Sequence, residues 1–117
     1  ILIKGNICRV GSDTQHVNYN LADGLITSYV KNNETFPVSR EAAEKSPYRF
    51  TCLNYPGGDF YLGETKNGLR HGQGIYHWIN GNYWYGTFAD NYRQGYGVLF
   101  REDGNIDYGL WYGDDKQ

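Results

Sequence analysis

The chain has no methionine, two cysteines and three prolines in 117 residues, and few aliphatic residues. Each scarcity excludes something. Cys8 and Cys52 are too few for a disulfide framework or a zinc site, so reduced, partly buried thiols are expected, or one bridge in an oxidising compartment. No apolar run approaches the roughly 20 residues that a membrane-spanning helix requires. The opening Ile1-Leu2-Ile3-Lys4 is too short for the apolar core of a secretory signal and lacks a small-residue cleavage pattern, so the cytoplasm is the expected compartment. Without an initiator methionine, the chain reads as processed or trimmed. The net charge of −2 and pI near 5.9 give no basic field of the kind nucleic acids select, so no nucleic-acid partner is expected.

What the chain does have is glycine and rings: 16 Gly beside 12 Tyr, 5 Phe and 3 Trp. A helix loses about 1 kcal/mol for each interior glycine, whereas aromatic residues pack well on pleated strands. The composition is therefore that of a mostly all-β protein.

From Asp59 onward the sequence repeats itself with a period of 23 residues. Unit 59–81 overlays on 82–104, and 105–117 begins a third copy. Gly63, Gly86 and Gly109 fall in register, as do Gly58, Gly81 and Gly104. Gly72 and Gly74 match Gly95 and Gly97, and Arg70 matches Arg93. A fixed period in the twenties denotes stacked units, none of which buries its apolar face alone. Each unit reads as a hairpin: Phe60–Lys66 is one strand, Asn67-Gly68 the turn and Gly74–Ile79 the return. Asn80-Gly81 and Asp103-Gly104 connect successive units, because both positions of such pairs accept φ > 0. Within the strands, Gly63 and Gly86 are expected to let a ring from the neighbouring unit lie on the backbone. The register also reaches back half a unit, over residues 50–58, with Phe50–Tyr55 as a return strand.

Two full units and two halves are marginal alone, and residues 1–49 are the expected cap. Val17, Tyr19 and Leu21 alternate with His16, Asn18 and Asn20, the pattern of a half-buried strand. Ile1–Val10 and Leu25–Val30 also read as strands, with Asp23-Gly24 as a turn. Ser39–Lys45 reads as a short helix capped by Ser39 and stopped before Pro47. The 23-residue signature has no counterpart before Phe50.

The strings YPGGDFYLGETKNGLRHGQGIYHW and YGTFADNYRQGYGVLF resemble MORN repeats (membrane occupation and recognition nexus). The pattern is carried by Tyr61, Gly63, His71, Gly72 and Gly74, then by Trp84, Gly86, Phe88, Gly95 and Gly97, with Gly109 and Trp111 in the third copy. Thr65, Gln94 and Asp107 depart from it. The resemblance implies a single-layer, twisted antiparallel sheet of stacked hairpins that acts as a non-enzymatic scaffold. Its implied partner is a helix or extended peptide lying on an aromatic groove. Its implied settings are cytoskeletal, ciliary and membrane-associated assemblies.

The rings exceed what a thin array needs for its core. Those of the type of Tyr61, Trp84 and Trp111 are expected between stacked hairpins, while Tyr76, Trp78, Tyr83, Tyr85, Phe100 and Tyr108 are the candidates for an exposed partner-binding surface. Lys66, Arg70, Arg93, Arg101 and Lys116 are spread along the array. Arg70 and Arg93, on equivalent turns, are the candidates for a weak phosphoinositide stripe, diluted by Glu64, Asp90, Glu102, Asp114 and Asp115. A solvated turn face is the better account of them.

His71 reads as a turn histidine, and His16 and His77 have no metal-ligand companions at zinc spacing. Asp103, Asn105 and Asp107 imitate the opening of a calcium loop, but Tyr108 stands where such a loop needs glycine. No cofactor or metal is expected. No nucleophile motif or paired carboxylates suggest catalysis. Asn33-Glu34-Thr35 matches a glycosylation acceptor by pattern only. Three readings remain: a protein-binding module, a subunit that joins a larger assembly or a second copy through its edge strands, and a membrane-surface module.

Overall fold

The computed structural model describes residues 1–113 and the backbone of 115–116. It contains two antiparallel sheets and one short helix, so the all-β expectation holds. Internal contacts divide the chain between Phe50 and Thr51.

The first unit is a five-stranded meander of β1 (Leu2–Lys4), β2 (Ile7–Gly11), β3 (Gln15–Asn20), β4 (Ile26–Lys31) and β5 (Glu34–Pro37). Two elements differ from the sequence reading. Ile1–Val10 is not one strand but the hairpin β1–β2, reversed at Gly5 with φ +60°. The β4–β5 hairpin turns on Asn32-Asn33, both at positive φ, where a turn without glycine gave no signal. Cys8 faces Tyr19 and Val10 faces Val17 across β2–β3, and Tyr19 tilts against Phe50 with ring centres 5.9 Å apart. Cys8 is buried and Cys52 exposed, and no disulfide joins them.

Helix α1 (Arg40–Lys45) begins as its sequence dictates: the Ser39 hydroxyl accepts the Ala42 N–H at 3.1 Å. Its C-terminal carbonyls are met by Arg49, whose guanidinium donates to Ala43 O at 3.1 Å and Glu44 O at 2.9 Å. The Asp23 carboxyl accepts the Leu25 N–H, which with Arg40 holds it below the usual carboxylate range.

The second sheet follows chain order through β6 (Tyr48–Asn54), β7 (Phe60–Lys66), β8 (Leu69–His77), β9 (Tyr83–Ala89), β10 (Tyr92–Phe100), β11 (Ile106–Tyr112) and β12 (Asp115–Lys116). The 23-residue period is visible as geometry. Tight turns at Asn67-Gly68 and Asp90-Asn91 have positive φ at both residues. Five-residue connections at 55–59, 78–82 and 101–105 each close with the same pair of backbone hydrogen bonds. Asp59 accepts the Ile79 N–H and Asn82 accepts the Glu102 N–H, both at 2.9 Å, so each connection ties to the next. The return strand β8 starts at Leu69, earlier than Gly74, because it runs through a bulge. Pairing with β7 slips between Gly63 and Thr65, and pairing of β10 with β9 slips at the same point one period later. Gly72 and Gly95 sit in these bulges at φ +79° and +85°, conformations that L side chains rarely adopt.

The packing device of the sheet is a line of five glycines. Gly63, Gly74, Gly86, Gly97 and Gly109 face one another in register across β7 to β11. The Tyr61 ring lies over Gly74 and the Trp84 indole over Gly97, each occupying the space that a Cβ would fill. The rings therefore come from the paired strand of the same hairpin, not from the neighbouring unit as the sequence suggested. At Gly63 and Gly86 an added Cβ would meet the Tyr61 hydroxyl and the Trp84 ring of their own strands. Tyr61, Trp84, Phe88 and Trp111 make the buried core, with edge-to-face contacts of 5.0–5.5 Å between ring centres. Thr65 holds the position of Phe88 and Trp111 in the first unit, and its buried hydroxyl meets that of Thr51 at 3.0 Å.

Replacing Gly97 by Ala drives a methyl group into the Trp84 indole and is expected to destabilise the second unit by about 2–3 kcal/mol in chemical denaturation. In a double-mutant cycle, Trp84→Leu should recover part of that loss. Strict additivity would show that the ring does not occupy this space.

Candidate functional site

Side chains alternate along each strand, so the second sheet has two unlike faces. One carries the glycine line and the buried rings. The other carries cross-strand rows. In one row Phe60 stacks on His77 at 4.7 Å, His77 on Tyr83 at 6.0 Å and Tyr83 on Phe100 at 4.7 Å. In the next, Leu62, Ile75, Tyr85, Val98 and Tyr108 stand opposite one another in register. The six candidate rings are thus divided. Tyr76 and Trp78 belong to the glycine face, while Tyr83, Tyr85, Phe100 and Tyr108 belong to the opposite one. Tyr83 and Tyr108 are exposed there; Tyr85 and Phe100 are half-buried.

On the glycine face each repeat builds an arginine into a cage of rings. The Arg70 guanidinium lies 5.2 Å from the Tyr76 ring centre, 5.6 Å from Tyr55 and 5.8 Å from Phe88. Arg93 lies 5.5 Å from Trp78, 5.8 Å from Trp84 and 6.0 Å from Trp111. Tyr55 and Trp78 are one period apart, as are Phe88 and Trp111, so the cage is a property of the repeat. At these distances a cation gains from the electron-rich ring faces, and more so where water is thinned.

These positions correct the expectation of a solvated turn face. Arg70 and Arg93 are each the second residue of a return strand, half-buried, and held by rings. Arg101 pairs with Asp107 at 2.7 Å, which takes it out of any positive stripe. Asp114 and the side chains of Asp115 and Lys116 lie outside the described residues. Asp103 caps the Asn105 N–H at 2.9 Å, a turn bond in the segment that imitates a calcium loop. His71 lies in the β8 bulge. His16 Nδ1 lies 2.7 Å from Ser12 O, and His77 is the second ring of the stacked row.

Arg70 also ties units together. Its guanidinium donates to the Tyr55 hydroxyl at 2.9 Å and to Asn91 O at 2.5 Å. Its backbone N–H donates to Asn91 Oδ1 at 2.9 Å, and its carbonyl accepts the Asn91 N–H at 3.0 Å. The turn of one hairpin is thereby fastened to the strand of the hairpin before it. Between the two caged arginines opens a cleft of about 250 Å³ lined by Arg70, Tyr76, Trp78, Phe88, Asn91 and Arg93. The lining holds two cations, three rings and no carboxylate. Phe88 and Asn91 are functional candidates that composition could not single out. The signal was the fixed spacing of each arginine from the rings before and after it.

The Tyr76 hydroxyl donates to Asp59 at 2.9 Å. Burial first, and then this carboxylate partner, push its pKa up to about 12 from 10.0, against the opposing charge of Arg70. The folded state therefore keeps a proton that the unfolded chain releases near pH 10. Stability from this group is complete below pH 10 and is lost as pH rises toward about 12. The melting temperature of the chain should fall across that window, and Tyr76→Phe should make the fall shallower. An equal slope in both proteins would exclude this contribution.

A family model of the MORN repeat matches residues 61–83 and 84–106, the same period in a frame shifted by two residues from 59–81 and 82–104. No curated protein matches the chain. MORN repeats are a binding module, associated in general with protein and membrane interaction rather than with catalysis. The glycine line, the recurring bulge and the duplicated cage are the structural form of that repeat here, and residues 61–106 of the chain are two MORN repeats.

Proposed function

We propose that the glycine face of the array is a non-enzymatic docking surface for a protein segment, a helix or an extended peptide laid over Tyr76, Trp78 and Phe88. The observation that carries this reading is the 250 Å³ cleft, in which the half-buried Tyr76 and Trp78, the buried Phe88 and two arginines meet with no carboxylate in the lining. Partly buried aromatics and arginines are the residue types in which binding energy concentrates. The acidic residues nearby hold turns or ion pairs: Asp59 holds the 78–82 connection, Asp103 its own turn, and Asp107 its arginine. The proposed setting is cytoplasmic, within cytoskeletal or membrane-associated assemblies.

The test begins with partner segments captured by the whole chain and mapped to a minimal peptide. Trp78→Ala should weaken that peptide about tenfold or more, whereas Tyr83→Ala, on the opposite face, should change it less than about twofold. Full affinity in the Trp78 variant would end the proposal for this face.

A second reading, a structural subunit of a larger assembly, is favoured by one observation. The most exposed rings gather on β10 and β11, where Tyr96, Tyr108 and Tyr112 are 77%, 76% and 71% exposed. Rings so exposed and so close together favour burial against another chain. Sedimentation at rising concentration should then reveal association that Tyr96→Ser and Tyr108→Ser reduce. A strict monomer at high concentration would remove this reading.

A further inference from the structure

Arg70 is a half-buried cation whose neighbours do not neutralise it. Its hydrogen-bond acceptors are a phenol and a backbone carbonyl, and it makes no ion pair among the described residues. Its Nε is buried without an acceptor. Ring faces recover part of the hydration that burial removes, but they do not supply a counter-charge. Guanidinium groups bind carboxylates at short range and with directional bonds, and such bonds are roughly twice as strong as those between neutral groups.

We propose that the cleft beside Arg70 receives the carboxylate of an acidic residue in the docked segment, so that the array selects peptides with an Asp or Glu set among apolar side chains. This rests on the docking reading above and specifies its chemistry. Trp78, Tyr76 and Phe88 border the cleft and would hold the apolar neighbours of that acid, while Arg93 adds positive potential from the other side. A peptide carboxylate suits the cleft better than an anionic membrane. The connections around it carry Asp59, Asp90, Glu102 and Asp103, and the chain as a whole is negative, which opposes a broad anionic surface but not one enclosed acid.

Asn91 allows a direct test. Its Oδ1 accepts the Arg70 N–H, its carbonyl accepts from the guanidinium, and its backbone has φ +75°. Aspartate keeps that acceptor and tolerates that φ. Asn91→Asp therefore places a fixed carboxylate in the cleft lining with little change to the fold, which an unchanged melting temperature verifies. The probe is a displayed set of amphipathic peptides of about 15 residues, arranged in pairs that differ only by Glu or Gln at the centre. Binding is read on the full chain at about 50 and 500 mM salt.

The wild-type chain should bind the Glu member of responding pairs about tenfold more tightly than the Gln member. That preference should shrink at high salt and vanish in Asn91→Asp, while Tyr83→Ala retains it. Equal binding of both members, or a preference that survives Asn91→Asp, would overturn the acid subsite and leave peptide docking intact. If no peptide of either kind binds, the docking reading fails and the subsite with it. Binding to phosphatidylcholine vesicles containing phosphatidylserine, abolished by Asn91→Asp with no Glu preference among peptides, would overturn the proposal in favour of a membrane anion.

Discussion

Everything in the second unit depends on a ring lying flat on a glycine of the strand beside it. A sheet one layer thick has no opposite layer to bury its side chains, so its rings must be covered by each other and by backbone. The line from Gly63 to Gly109 supplies that backbone. Tyr61 and Trp84 become fully buried because a ring over glycine presses on a peptide plane instead of a side chain. The same contact sets the period. A ring, its glycine and the turn between their strands must recur together, and no other spacing in this chain places them so.

The bulge follows from this constraint. If pairing ran without a slip between Gly63 and Thr65, the segment after the turn would meet the opposite strand two residues out of step. The two additional residues on β8, with Gly72 at positive φ, let the strand bend and still bring Arg70 onto the ring face. There the guanidinium does what a lysine ammonium could not do as well. Its plane lies against rings while its N–H groups reach the Tyr55 hydroxyl on one side and Asn91 on the other. One side chain thus joins a half unit, a full unit and the next turn.

The array was legible in the sequence because its determinants are glycines, and glycine has few other reasons to recur at a fixed interval. Ser39 announced the helix for a similar reason: a hydroxyl just before a helical stretch has a specific backbone N–H to meet. Less legible was everything that depends on which way a strand faces. Tyr76, Trp78, Tyr83, Tyr85, Phe100 and Tyr108 look alike as a list of surplus rings, yet the register sends two to one face and four to the other. The arginines were misread because their position beside a turn suggests solvent. What moves them inward is the bulge, which pattern alone does not display. In the first unit, β5 was missed because Asn32-Asn33 turns the chain without glycine or proline.

A consequence reaches from packing to recognition. In most binding surfaces the residues that touch a partner are distinct from those that hold the fold. Here the proposed cleft is lined by Tyr76 and Phe88, which cage Arg70, and by both partners of the Arg70–Asn91 clamp. A ligand that completes the charge of Arg70 would therefore also bear on the joint between two repeats, and an agent that binds only the folded state adds to its stability. Each interface between repeats then carries part of both the fold and the site.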